Sequence, residues 1–496
     1  MAKLADILVT AGHDVTVLVS PFDPSEADQH GLKLAKTIRG KVNPNLLDQS
    51  GPAKTEHLKM IWTNNFASPI SVYFMTKFTD SWVEHCKGIM NDDELTAQIN
   101  GQTFDIAIGE AFDPCIFGLY RQYGIENHIV VSSGLFFSPH FELLGLTYPS
   151  TQVPDLMADF GANGFSIYER LVNKYYGLVS YIFLTRPMQQ EQALFDQKFG
   201  KGVVDMRKTF SECAYLITNA DPLIDFAKPI TSKIIEIGGF SIPKSKPLDD
   251  HFDKVMSLRN KNVLISFGSN AKSCFMPDSY KQNLRKVFKS FPDVTFIWKY
   301  EAETDDGITE GLGNLIISKW LPQTDILADK RLSGFITHGG LNSLTEASQV
   351  GVPLILVGLF GDQLRNAQVA EKIGFGKGVE KYLLADFDTM RNAIDEVFFK
   401  SDKYRKAAVK LMESIKNKPF NSTDVFVRHV EYAAKYGAQP MLNILGQEQS
   451  YIQRNNIDLL AILIIVLFLF GVLILKAVKC CCCREKVVVK KSKKLN

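Results

Sequence analysis

One uninterrupted apolar run constrains this chain more than any other feature. Leu459 to Leu475 reads LLAILIIVLFLFGVLIL, seventeen residues without a charge. At ~1.5 Å per residue such a helix spans roughly 26 Å, enough to cross a hydrocarbon core of about 30 Å. A core helix of a soluble domain would carry an amphipathic period, and none is visible. A basic tail follows at once. The spacing predicts a transmembrane helix over 459–475.

The flanks predict its orientation. Residues 476–496 hold eight Lys/Arg and one Glu, whereas the preceding side offers Arg454 near Glu448 and Asp458. Positive charge marks the cytosolic side, so the tail is expected in the cytosol and the large domain in a lumen, a single-pass type I arrangement. The ending Lys493-Lys494-Leu495-Asn496 resembles a dilysine retrieval signal of the endoplasmic reticulum. Cys480, Cys481, Cys482 and Cys483 stand at the cytosolic boundary, as palmitoylation candidates or simply at the interface. The sequon Asn421-Ser422-Thr423 makes Asn421 a glycosylation candidate of a lumenal domain.

The formal net charge of +2 is more than supplied by the tail, so the remainder is mildly acidic. That argues against a nucleic-acid partner. Cys86, Cys115, Cys213 and Cys274 are scattered and lack paired spacings with His, so no zinc site is expected. They read as buried small hydrophobes, with a disulfide among them left open.

The chain opens in an unusual place. Leu4, Ile7 and Leu8 fall at helical spacing, Gly12 closes that helix, and Val15–Val19 is an apolar strand. The strand that should precede this helix in an α/β unit, and the signal a lumenal domain needs, are not in the sequence. The expectation is that about 30–50 natural residues precede Met1. Without a central first strand, two strand edges are expected to be unpaired.

Up to residue 242, short apolar runs (Val15–Val19, Phe104–Ile108, His128–Val131, Tyr215–Ile217) alternate with helical stretches, and a helical, aromatic-rich insertion lies between Asp155 and Gly200. Ile242–Leu248 carries two prolines and two lysines and is the expected boundary. Beyond it, strands are expected at Asn262–Phe267, Val294–Trp298, Leu315–Ile317, Gly334–Thr337 and Leu354–Val357, then helices over about 385–437. Such alternation implies parallel sheets covered on both faces. The domains are therefore read as 1–242, 243–440, a juxtamembrane linker 441–458, the span 459–475 and the tail 476–496.

The chemistry concentrates between Trp320 and Gln363. In Phe335-Ile336-Thr337-His338-Gly339-Gly340-Leu341-Asn342-Ser343-Leu344-Thr345-Glu346-Ala347 a strand runs into His-Gly-Gly, and a helix is expected to start near Asn342 or Ser343. Two glycines admit close backbone approach, and a helix N-terminus offers free N–H groups to phosphate. Glu346 lies one turn on, placed to take ribose hydroxyls. Trp320-Leu321-Pro322-Gln323 precedes this turn and Gly358-Leu359-Phe360-Gly361-Asp362-Gln363 follows the next strand. Ligands collect outside the carboxyl ends of parallel strands, so these groups should converge. Trp320 is expected to stack on a base, His338 and Gly340 to hold phosphate, and Asp362 with Gln363 to hold sugar hydroxyls.

WLPQ-x-D-I-L, FITHGGLNSLTEA and GVPLILVGLFGDQ together resemble the signature of UDP-glycosyltransferases of the UDP-glucuronosyltransferase type, with fainter similarity in GHDVTVL, FDIAIGE, ISFGS and IWKYE. The resemblance implies an α/β, GT-B fold: two Rossmann-like doubly wound domains facing across a cleft, plus one C-terminal transmembrane helix. It implies a donor site in the C-terminal domain, with Ser269, Trp320, Gln323, His338, Gly340, Asn342, Ser343, Glu346, Asp362 and Gln363 as donor-binding residues. It implies inverting transfer from a UDP-sugar co-substrate (glucuronic acid or glucose) to a hydroxyl of a small lipophilic acceptor, without metal or other cofactor. Final soluble helices crossing back onto the N-terminal domain would suit residues 421–437. A His general base, oriented by an acidic partner, would deprotonate the acceptor. Glu110 takes the acidic position, where many relatives carry Asp. No residue takes the position of the base; His13 sits at the other end of the first helix and reads as structural. The alternative is thus a catalytically silent UDP-sugar-binding or partner protein in a homo- or hetero-oligomer. No G-x-G-x-x-G lies between a strand and a helix, which argues against a dinucleotide-dependent oxidoreductase.

Overall fold

The structure, a computed structural model, describes residues 1–22, 31–41, 43, 46, 52–65 and 68–492, with side chains of 52–57, 70, 74 and 480–492 outside that description. The side chains of Cys480–Cys483 and the ending Lys493-Lys494 fall outside the described residues.

Twelve strands are found among the described residues, and every pairing is parallel. In the N-terminal half β1 (Thr16–Val19) pairs with β2 (Lys36–Arg39), and β3 (Ala107–Glu110), β4 (His128–Ser132), β5 (Leu216–Thr218) and β6 (Ile234–Glu236) form a separate sheet. Among the described residues neither β1 nor β3 has a strand on its other side, so this half of the molecule holds its sheet in two pieces. The C-terminal half contains β7 (Lys261–Ser266), β8 (Val294–Lys299), β9 (Leu315–Ser318), β10 (Leu332–Thr337), β11 (Leu354–Leu356) and β12 (Gly376–Gly378), in the order β12-β11-β10-β7-β8-β9. Strand order reverses between β7 and β10, which makes that junction the topological switch point.

The apolar runs dictate these strands. Val263, Leu264, Ile265, Phe335, Ile336, Leu354 and Ile355 are all buried, because helices cover both faces of the sheet. Two boundaries differ from expectation. The strand expected at 104–108 begins at Ala107 and ends on Glu110. The helix after β10 starts at Leu341 with Gly340 as its N-cap, so Asn342 and Ser343 lie inside its first turn. Gly340 takes an extended backbone (φ −59°, ψ 144°), which lets the turn close one residue earlier. The insertion is a helix over Ile167–Phe199, opened by a capping box of Ser166 and Glu169.

Among the contacts that join the halves, three are prominent. The helix Ser422–Tyr436 lays Phe426, Val430 and Ala433 on Leu4, Leu8, Ile129 and Ile217 of the N-terminal half. In the other direction the helix Pro52–Thr63 inserts Trp62 into the C-terminal core, where its ring meets Phe267 edge-on at 5.1 Å and Nε1 donates to the Lys272 carbonyl. Arg365 forms a buried ion pair with Asp225, which Lys228 also contacts at 2.6 Å.

Cys86 and Cys115 form a disulfide, while Cys213 and Cys274 are free. The disulfide left open among the four scattered cysteines is this pair. The C-terminal helix runs from Ile457 to Ser492, longer than the expected span, and within 457–479 an 18-residue stretch has a mean hydropathy of 3.2 with none of it buried in the protein. The helix is long and apolar enough to cross a membrane.

Candidate functional site

The carboxyl ends of the C-terminal sheet bring the expected residues into one row. Sheet order places Asp362 (after β11), His338 (β10), Gly268-Ser269 (β7), Lys299 (end of β8) and Trp320 (β9) side by side. At the centre, His338 fills the switch point. Its ring is held between two glycines: a Cβ on Gly268 would sit 2.7 Å from His338 Cε1, and one on Gly340 would sit 2.6 Å from Nε2. Burial pushes the imidazole pKa down to about 4, with Lys299 adding to the shift, so the ring is neutral at pH 7.

The helix Leu341–Val350 has no side-chain N-cap. Its first-turn N–H groups lack internal partners by helix geometry and concentrate the positive end of the helix dipole. One turn further, Glu346 is already engaged: Gln323 donates to one carboxylate oxygen, Thr324 Oγ1 to the other at 3.1 Å, and Gln323 also reaches Ser343 Oγ at 3.2 Å. Asn342 is exposed, whereas Ser343 is buried. Ser269 is exposed at the rim after Gly268.

Trp320 is 75% exposed, which excludes a core role. The Lys299 ammonium lies 5.3 Å from its ring centroid and donates to the Gly268 carbonyl at 2.9 Å. On the other side of His338, burial raises the Asp362 pKa, opposed by a 2.9 Å hydrogen bond from Asn366 Nδ2. Gln363 is 3% exposed and its Oε1 accepts from the N–H groups of Leu359 and Phe360, which leaves its amide nitrogen without a hydrogen bond among the described residues.

The comparisons decide the family at this point. The family model described as UDP-glucoronosyl and UDP-glucosyl transferase matches residues 1–495. The chain belongs to that family. Among its relatives, the putative UDP-glucuronosyltransferase ugt-55 of Caenorhabditis elegans is 28% identical over 439 residues, covering 87% of this chain and 83% of the relative. The UDP-glucuronosyltransferase 1A8 of Rattus norvegicus is 24% identical over 484 residues, covering 95% and 87%. Of solved structures, Phytolacca americana UGT2 complexed with UDP-2fluoro-glucose and pterostilbene superposes with a TM-score of 0.58 at 14% identity, covering 88% of this chain and 95% of that one. The calicheamicin glycosyltransferase CalG4 gives 0.57 at 16%, covering 88% and 94%. The fold of this family member is GT-B, two Rossmann-like domains facing across a cleft.

Across the cleft of this UDP-glycosyltransferase, Leu341 of the C-terminal half packs in one cluster with Leu135, Phe137, Leu184 and Ala220 of the N-terminal half, against which Phe112 and Phe183 lean. Glu110, at the end of β3, is two residues from Phe112. Its Oε1 accepts from the N–H groups of Ala111 and Ser133 at 3.0 and 3.2 Å, and burial raises its pKa against those hydrogen bonds. A cavity of about 210 Å³ lies beside it, lined by Ser132, Ser133, Thr218, Asn219 and, from the C-terminal half, Asn342. His13 pairs with Glu431 at 3.2 Å on the crossing helix, a structural contact away from the cleft.

Lys299 and Asn366 were not among the sequence candidates. Lys299 was legible in principle, since a lysine ending the apolar strand VTFIWK breaks its pattern at a carboxyl end. Asn366 is one turn beyond Asp362, and only the helix phase brings it back to the site.

Proposed function

We propose that this protein transfers glucuronic acid or glucose from a UDP-sugar to a hydroxyl of a small lipophilic acceptor, with inversion and without a metal. The observation that carries the proposal is the uncapped helix at Gly340 beside a neutral His338 at the switch point. In this reading Trp320 stacks on the uracil, and Gln323 and Glu346 serve the ribose. His338, Gly340 and the first-turn N–H groups of Asn342 and Ser343 take the diphosphate, with Ser269 at the rim and Lys299 supplying a cation. Asp362 and the Gln363 amide take sugar hydroxyls. The acceptor oxygen attacks C1 from the face opposite UDP. UDP departs towards the helix N-terminus, where fixed dipoles stabilise the charge as it develops. Glu110 is the acidic group of the acceptor side. The aromatic lining (Phe112, Phe137 and Phe183) supports a lipophilic acceptor.

In the same reading the domains divide at about residue 242, Asn421 is glycosylated, and the chain is a single-pass type I protein of the endoplasmic reticulum membrane with its large domain lumenal. One observation favours a silent binding or partner protein instead: among the described residues Glu110 is hydrogen-bonded to the N–H groups of Ala111 and Ser133 and to the Ser133 side chain, with no imidazole on it. A UDP titration run beside a turnover assay, with UDP-glucose and UDP-glucuronate over a panel of phenols, separates the two. Transfer supports the enzyme; binding without transfer to any phenol sinks it. His338→Ala and Asp362→Ala are each expected to abolish transfer while the chain stays folded, and normal activity in either purified variant contradicts the assignment.

A further inference from the structure

The helix Gln363–Ile373 has Asp362 as its N-cap and serves both halves of the molecule. One face belongs to the C-terminal half. Ala367 and Ala370 lie in its core, and Asn366 Nδ2 donates to the Gly339 carbonyl and to Asp362 Oδ2, each at 2.9 Å. The other face carries Arg365, Gln368, Val369 and Lys372, the i, i+3, i+4, i+7 spacing that sets side chains in one row. All four reach the N-terminal half. Arg365 Nε donates to the Pro154 carbonyl at 3.1 Å, and its guanidinium pairs with Asp225. Gln368 Oε1 accepts the Ala162 N–H at 3.4 Å, and Lys372 donates to the Ala162 carbonyl at 3.3 Å. Val369 packs with Val153 and Phe226.

Arg365 is the least solvated charge in that row. Its side chain is 5% exposed and that of Asp225 2%. The guanidinium carbon stands 5.0 Å from the centroid of the Phe226 ring, a cation–π contact. Asp225 also accepts from Lys228 Nζ at 2.6 Å, and Lys228 reaches Glu236 at 2.9 Å, so two cations balance two carboxylates out of water. Burial works to raise the Asp225 pKa, yet Arg365 and Lys228 hold it below the ordinary carboxylate value, so the pair is ionic at pH 7. Such a pair resists displacement, because drawing either charge away leaves the other uncompensated in a medium of low dielectric. The planar fork of arginine adds direction to that resistance.

The N-terminal side of the contact leads on to the aromatic lining of the cleft. Asp155, next in the chain to Pro154, donates its N–H to Asn173 Oδ1 and accepts from Ser180 Oγ, both at 2.7 Å. Asn173 and Ser180 lie on the helix Ile167–Phe199, which also carries Phe183. Phe183 leans on the cluster that Leu341 shares with Leu135 and Phe137. Packed and hydrogen-bonded groups therefore connect Asp362, through Arg365 and the Pro154 segment, with Phe183.

We propose that Arg365, held on Asp225 and Pro154, is a positioning residue for transfer that fixes the sugar at Asp362 against the acceptor beside Phe183. This rests on the transfer reading. Arg365 touches neither substrate and acts through the helix that it anchors. Asp362 and Asn366 stay seated on the C-terminal core with or without the clamp, so UDP binding is independent of it. What the clamp sets is the separation and direction between the acceptor oxygen and C1, where a misplacement of ~1 Å costs about 10²-fold in rate.

The test compares wild type, Arg365→Met, Asp225→Asn and the double variant as full chains in detergent. Methionine keeps apolar contact with Phe226, and Lys228 remains to pair with Asp225, so Arg365→Met leaves no buried charge alone. Arg365→Met is expected to lower kcat by about 10–10²-fold and to keep UDP affinity, by calorimetry, within about threefold. Asp225→Asn is expected to behave alike, and the double variant to be no slower than the slower single, because both remove one contact. In hydrogen exchange, amides of 149–162 should exchange at least about tenfold faster in Arg365→Met, with those of 335–347 unchanged. An Arg365→Met or Asp225→Asn protein that keeps kcat overturns the clamp, as does unchanged exchange over 149–162. So does a loss of UDP affinity in parallel with kcat, or slowing that multiplies in the double variant. A wild type that binds UDP but transfers to no phenol fails the transfer reading and the clamp with it, whereas a transferring wild type matched by Arg365→Met fails the clamp alone.

Discussion

Gly268 and Gly340 leave His338 no room to move aside. Gly268 also has φ +85°, a conformation that side chains other than glycine's resist. Gly268→Ala is therefore expected to lose UDP affinity by at least about tenfold and to destabilise the chain by about 1–3 kcal/mol through strain. Calorimetry and thermal unfolding on the same sample check both. A pH effect follows from the same ring. The folded pKa of about 4 lies below the ordinary 6.5, so the folded state binds fewer protons than the unfolded state across that window. The cost of keeping His338 neutral is absent above pH 6.5 and grows as pH falls towards 4. Measured as Tm against pH, His338→Gln should lose less stability than the wild type between pH 6.5 and 4. At this level the sequence was a fair guide to identity and a poor one to use. His338, Trp320 and Asp362 do lie in one row, but the short-range breaks that place Lys299 and Asn366 require the strand and helix phases.

The parallel strands with continuous apolar runs, β4, β5 and β7 to β11, were legible because burial on both faces leaves no polar alternation to misread. Three strands were not: β2 (KTIR) is mostly exposed, β6 is three residues, and β12 (GKG) has two glycines, so none shows an apolar run. The helix Pro52–Thr63 was equally opaque, since its importance lies in a single residue. Trp62 is fully buried in the opposite half of the molecule, and Lys381 donates to the Ile61 carbonyl at the same junction. Trp62→Ala is expected to cost about 3–5 kcal/mol, read as a shift in the urea midpoint of the C-terminal core. A loss below about 1 kcal/mol would mean that this junction does not hold in solution.

For the molecule as a whole, the C-terminal helix and the sequon act together. Asn421 caps the helix Ser422–Tyr436 through Oδ1, which accepts from Thr423 and Asp424, and that bonding leaves Nδ2 available for a glycan. In the proposed lumenal topology the protein should resist carbonate extraction and shift in mobility on deglycosylation, and Asn421→Gln should abolish the shift. A mature protein that washes off membranes contradicts the anchor. The central claim, however, is the donor site at the switch point of the six-stranded sheet. Titration of UDP into the purified wild type and into His338→Ala tests it most directly. The account predicts saturable one-to-one binding by the wild type and at least tenfold weaker binding by a still-folded His338→Ala. Equal affinity in the two proteins, or no binding to the wild type, would contradict it.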